Sequence, residues 1–152
     1  MKQEYVHPFL ESARIVIEQV AGVKPTAGTL GVAEIVLHSE YIWIHIGLTG
    51  QVAADIIYGL HQEVALKIVS AMMGGFVLTE LDEIGHSAIS ELTNMISGNA
   101  STMLYDQGVR VDISPPKIFT TAETLDIASR TAMTVPLLME GIGLLEIQVL
   151  IA

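Results

Sequence analysis

The segment "LDEIGHSAISELTNMISGNAST", from Leu81 to Thr102, constrains this chain more than any other. Its apolar period predicts one long helix that runs to about Asp106 and is ended by Gly108. Thr79 is a candidate cap, and Asp82 and Glu83 suit the first turn. At about 100° per residue, Ser87, Glu91, Asn94, Gly98 and Tyr105 share one narrow sector. Ala88, Leu92, Met95, Ile96 and Met103 occupy a separate apolar side. Such a helix packs on a sheet with one side and presents polar groups on another.

The rest of the chain supplies that sheet. "HPFLESARIVIEQVAG" predicts an opening helix, with Pro8 in its first turn, apolar positions Phe9, Ala13, Val16, Ile17 and Val20, and Gly22 at its end. The period then changes. Ile42, Ile44 and Ile46 alternate with Trp43 and His45, and three strands are expected at Val32–His38, Tyr41–Leu48 and Val52–Leu60. Their short connections make them antiparallel neighbours. "QEVALKIVSAMMGG" predicts a shorter helix stopped by Gly74-Gly75. "VRVDISPPKIFTTAE" is a strand broken at Pro115-Pro116. "SRTAMTVPLL" and "GIGLLEIQVLIA" read as two final strands, the last inside a sheet. The expected fold is of the α/β class (α+β type): an antiparallel sheet of mixed order with about six strands and three helices, two long helices lying on one face. Residues 1–152 are expected to form a single domain, because no Pro/Gly linker divides them.

Composition excludes several functions. Hydrophobic residues make up 51% of the chain and charged ones 16%, which argues for a packed core with apolar surface left for a partner or a second copy. The net charge is -10, with seven basic residues thinly spread, so neither nucleic acid nor an acidic membrane is expected as a partner. There is no cysteine, hence no disulfide or thiolate site. "MKQEYVHPFL" has no signal-peptide core, and the apolar run Tyr41–Ala54 is too short to span a bilayer. A cytoplasmic location is expected.

The five histidines lack the spacing of a zinc helix, and His86 is read as a surface residue beside Ser87. "MMGG" lacks the pattern of a phosphate loop. "NAS" at Asn99 lies inside a helix and is set aside as a glycosylation acceptor. The polar stripe is the remaining candidate. Solvent faces of helices favour Lys, Arg, Glu and Gln, yet Glu91 to Tyr105 carries no charge after Glu91. Gly98 and Asn94 are poor helix formers, and small residues there, Gly98 and Ser101, would let another surface dock closely. A carboxylate can pair with a cation on a partner. A carboxamide has donors and an acceptor with which to orient water, which matters most in phosphoryl transfer, where positioning dominates catalysis.

"SAISELTN" fits a pattern of Asp or Ser, three residues, Glu, two residues, Asn. In this it resembles the CheC/CheX/FliY family of chemotaxis phosphatases. "ALKIVSAMMGG" before it, "VDISPPKIF" after it and the "HPFLESA" start resemble the CheX branch, so the likeness covers nearly the whole chain. The resemblance implies hydrolysis of the aspartyl phosphate on a CheY-type response regulator. It implies that Glu91 pairs with the regulator's active-site lysine, that Asn94 places the attacking water, and that Ser87 has an ancillary role. It implies no cofactor of this chain's own, with Mg2+ in the regulator, and a homodimer through a sheet continued across two subunits. CheC members carry the motif twice; here Ser12 is followed by Val16 and Gln19 at the matching places, so one site is expected. A non-catalytic adaptor that binds a receiver or a flagellar-switch component is the alternative, and a purely structural dimerisation domain a third reading. Response regulators are often acidic as well, so recognition is expected to rest on local shape and the Glu91 pair.

Overall fold

The computed structural model describes residues 3–36, 38–119 and 130–151. In chain order the elements are α1 (Gln3–Ala21), β1 (Thr26–Ala27), β2 (Gly31–Glu34), β3 (Tyr41–Gly50), β4 (Ala54–His61), α2 (Gln62–Met72), α3 (Glu83–Asp106), β5 (Val111–Ile113), β6 (Lys117–Phe119), β7 (Thr131–Met139) and β8 (Gly143–Ile151). The eight strands form one antiparallel sheet in the order β1-β7-β8-β4-β3-β5, with β2 also on β7 and β6 also on β3. As expected, β8 lies inside the sheet, between β7 and β4.

Alternation along the strands builds the main core. Ile42, Ile44, Ile46 and Leu48 of β3 join Ile56 and Tyr58 of β4 and Ile147 and Val149 of β8 under the helices. All three helices contribute to this cluster: Phe9, Ala13 and Ile17 from α1, Ala65, Ile68 and Val69 from α2, and Leu92, Ile96 and Leu104 from α3. The opposite face buries a smaller cluster of Ile35, Trp43, Ile57, Phe119, Ala132 and Leu150. Trp43 fits there because its cross-strand partner is Gly59: a Cβ on Gly59 would lie 2.5 Å from Trp43 Cζ3.

Four sequence expectations are corrected. Pro8 is inside α1, not in its first turn, because the helix starts at Gln3. Pro8 forgoes one helical hydrogen bond, but the extra turn puts Val6 into the core at 2% exposure, and burial of a valine offsets about 1.5–3 kcal/mol. Asp82, not Thr79, caps α3: its Oδ1 accepts the Gly85 N–H at 3.0 Å. The first expected strand is not a neighbour of β3. It is β2, paired with β7 from Gly31↔Thr134 to Glu34↔Thr131. Ile35 prolongs that pairing through its N–H to Arg130 C=O at 2.9 Å, then buries its side chain in the smaller cluster. Residue 37 of that expected strand, residues 120–123 of the broken strand and residue 129 of the next lie outside the described residues. Finally, among the described residues the sheet has eight strands where about six were expected. The added ones are the two-residue β1 and the separation of β5 from β6 at Pro115-Pro116, which have no N–H to pair. Ser114 bridges that gap. Its Oγ accepts the Gly47 N–H at 2.7 Å and its N–H donates to Gly47 C=O at 2.9 Å.

Candidate functional site

The buried side of α3 is fastened to the rest of the molecule by packing and by specific polar contacts. Ile89, Leu92, Ile96, Ala100 and Leu104 are buried in the core. The buried Ser97 Oγ lies 2.8 Å from Tyr58 OH of β4, and burial pushes the Tyr58 hydroxyl well above its ordinary pKa, so it stays a neutral hydrogen-bonding group. Thr93, also buried, returns its hydroxyl to the Ile89 carbonyl at 3.2 Å and the Ser90 carbonyl at 3.0 Å. Ser12 of α1 donates to the Met103 sulfur at 3.6 Å. At the far end Gly108, with φ of +85°, stops the helix, and the Val109 N–H closes on Leu104 C=O at 2.9 Å. A rod held this firmly fixes whatever its other side displays.

The other side displays the predicted stripe. Ser87, Glu91 and Asn94 are exposed, and Gly98 and Ser101 are half-buried. Glu91 and Asn94 share an open depression of about 380 Å³ with Glu83, His86, Ser87, Ser90 and Pro116. The side chains of Ser87, Glu91 and Asn94 make no hydrogen bond or ion pair with any described residue. Three polar side chains are therefore held on a rigid helix with all their bonding capacity free.

Ser101 is placed elsewhere. It lines a second depression, of about 470 Å³, with Thr102, Tyr105, Arg110, Val111 and Asp112. Gly98 lies between the two, and a Cβ built on it would meet nothing within 4 Å. Four residues lining the first depression were not singled out for it from sequence, and Glu83 and Ser90 of α3 are two of them. His86, read as an ordinary surface residue, lines the first depression, and so does Pro116, read only as a break between helix and sheet. The signal for Pro116 was the "PP" pair itself: splitting β5 from β6 is what brings it against α3. Among the described residues no His, Asp or Glu cluster could hold a metal ion, and no helix is long and apolar enough to cross a membrane.

The chain and its fold have counterparts among known proteins. The sequence profile of the family described as Chemotaxis phosphatase CheX matches residues 42–138. A CheY-P phosphatase CheX from Thermotoga maritima is 36% identical over 118 residues, covering 78% of this chain and 76% of that protein. The crystal structure of chemotaxis protein CheX from Vibrio vulnificus superposes with a TM-score of 0.83 at 22% identity, covering 98% of this chain and 99% of the other, and shares the fold. The CheX–CheY–BeF3–Mg2+ complex from Borrelia burgdorferi matches with a TM-score of 0.80 at 25% identity over 97% of both chains. With a profile match across most of its length and a relative of this identity, the chain belongs to the CheX family of chemotaxis phosphatases.

Proposed function

We propose that this protein is a phosphatase that hydrolyses the aspartyl phosphate of a CheY-type response regulator, with α3 as the element that enters the regulator's active site. The observation that carries the reading is the free, exposed Ser87–Glu91–Asn94 stripe on a fastened helix in a CheX-family chain. The Thermotoga relative bears the same activity in its name, and the Borrelia complex holds CheY with BeF3 and Mg2+.

In this reading Glu91 pairs with a lysine of the regulator and fixes the approach of the helix. Asn94 then reaches the phosphoryl group. Its carboxamide oxygen accepts from the attacking water while its N–H2 donates, so the water's lone pair points at phosphorus opposite the aspartyl oxygen. The water oxygen bonds to phosphorus, the bond from phosphorus to the aspartyl oxygen breaks, and inorganic phosphate and the free carboxylate leave. No phosphorylated intermediate forms on this chain. Ser87 is assigned an ancillary hydrogen bond. Mg2+ belongs to the regulator, and no cofactor is assigned to this chain.

Gly98 is the docking position in the same reading. A glycine inside a helix costs about 1 kcal/mol against alanine, and nothing in the described chain requires it. A surface that must come close to α3 supplies the reason. Ser101 continues the low profile toward the helix end. The protein is read as a single domain, working in the cytoplasm where its substrate resides. It is also read as a homodimer with a continued sheet. The edge strand β2 supports this, since all four of its residues are exposed, Val32 by 71%.

The test is release of inorganic phosphate from a phosphorylated CheY-type receiver in the presence and absence of the protein. Faster release is expected. Binding to the receiver at an unchanged decay rate would replace the enzyme with an adaptor.

A further inference from the structure

We propose that the depression at the C-terminal end of α3 is a second anchoring point for the same receiver, in which Arg110 takes a carboxylate side chain of that partner. The inference rests on the function proposed above, and concerns how the receiver is held, not how its phosphate is removed.

Tyr105 follows Asn94 by eleven residues, roughly 16 Å along the helix axis and only about 20° around it. Gly98 and Ser101 lie between them on nearly the same line, so no large side chain interrupts the path. A stable protein interface covers roughly 800 Å² on each partner, a patch about 30 Å across. A receiver centred on Asn94 therefore extends about 15 Å along the helix, so that its rim meets Tyr105 and the groove beside it.

The Arg110 guanidinium sits 5.5 Å from the centroid of the exposed Tyr105 ring. The ring face orients the cation without occupying its N–H donors. Among the described residues Arg110 has no ion-pair partner, although Asp112 lines the same groove and Asp106 ends the helix. The last turn of α3 contains no basic residue, so Arg110 is the cation placed where the helix leaves its partly negative end. In a chain of net charge -10 this matters more than it would elsewhere. An acidic receiver is repelled by most of the surface and finds an oriented planar fork at this end. The fork matches a carboxylate. It lies too far from Asn94 to reach the phosphoryl group, which restricts Arg110 to docking.

The experiment is steady-state phosphate release by wild type, Arg110→Glu, Arg110→Gln and Tyr105→Ala against a phosphorylated CheY-type receiver, with melting curves for each. Arg110→Glu is expected to raise KM about tenfold and Arg110→Gln about threefold, with kcat unchanged and the wild-type dependence of KM on salt weakened. Tyr105→Ala is expected to raise KM less, by freeing the guanidinium. Arg110 is exposed, so Arg110→Gln keeps the fold if Arg110→Glu does not. A KM equal to wild type in folded Arg110→Gln and Arg110→Glu would overturn the inference while the phosphatase reading stood. So would a loss confined to kcat. If wild type itself fails to speed phosphate release, the phosphatase reading fails and takes this proposal with it.

Discussion

Two polar regions of this molecule differ in kind. On α3, Ser87, Glu91 and Asn94 stand exposed, with no partner among the described residues. On the sheet face turned away from the helices, Tyr41, Trp43, Thr134, Glu146 and Gln148 are drawn together by the β3, β4, β8 and β7 ladders. There burial dominates. It pushes the Glu146 carboxyl above its ordinary pKa, against the opposing charge of His38, and it raises Tyr41, to which Glu146 adds. Trp43 Nε1, Thr134 Oγ1 and Gln148 Oε1 are buried without a hydrogen-bond partner. Perturbed protonation is a common pointer to an active site, and here it points away from the α3 stripe proposed above. A residue that must orient water on another protein's phosphoryl group needs no shifted pKa. It needs a free carboxamide, exposure, and a support that does not move. On the proposed reading the catalytic demand falls on position, while the sheet face carries the desolvation cost of unpartnered polar groups.

The contrast can be broken most forcefully at Glu91. Glu91→Ala is expected to weaken docking and turnover together, by about 2–5 kcal/mol in kcat/KM, because on the proposed pairing a cation of the regulator would be left buried without a counter-charge. Melting should not move, since Glu91 holds nothing within the described chain. Steady-state kinetics beside a thermal scan checks both halves. A drop in Tm with unchanged kinetics would make the stripe structural.

Gly98→Ala sharpens the same point with opposite signs. Stability is expected to rise by about 1 kcal/mol, because the new methyl meets open space in a helix interior. Affinity for the receiver is expected to fall several-fold, because that methyl occupies the approach path. Chemical denaturation and a binding titration measure the two effects on one sample. A gain in stability with full affinity would show that nothing comes close at Gly98.

The smallest effect belongs to the sheet face. Glu146 has a folded pKa raised above its unfolded value near 4.5, so the folded state binds the proton more tightly. Its contribution favours folding below that value and is lost as pH rises through the raised folded pKa. Glu146→Gln should flatten this slope and stabilise the protein at neutral pH by less than about 1 kcal/mol, since the group is only half-buried. Phosphate release should not change. Urea unfolding across pH 4–8 reads the slope, and loss of activity in this variant would tie the two regions together.

Much of this was legible in the chain because it is local. The α3 stripe follows from helical spacing alone, and Ser87, Glu91, Asn94, Gly98 and Tyr105 need only a helix to align. The strands from Tyr41 and from Thr131 onward show their period directly. What was not legible depends on distant pairing. The β2 segment alternates the same way whether it borders β3 or β7, and nearness in sequence favoured the wrong neighbour. Thr79 and Asp82 are both fair caps, and the start of α3 is set by which of them meets a free N–H at the right turn. Pro116 and Arg110 reach the α3 face only because β5 and β6 both pair with β3, which no spacing rule announces. The burial of Glu146 and Gln148 on a second apolar face was hidden for the same reason.

The central claim is that Asn94 positions the water. The most direct measurement is the rate of phosphate release from a phosphorylated CheY-type receiver by Asn94→Ala at saturating receiver, beside a melting curve. A loss on the order of 100-fold in turnover with unchanged melting is predicted, because the water would no longer be aligned. Turnover equal to wild type in the folded variant would contradict the account.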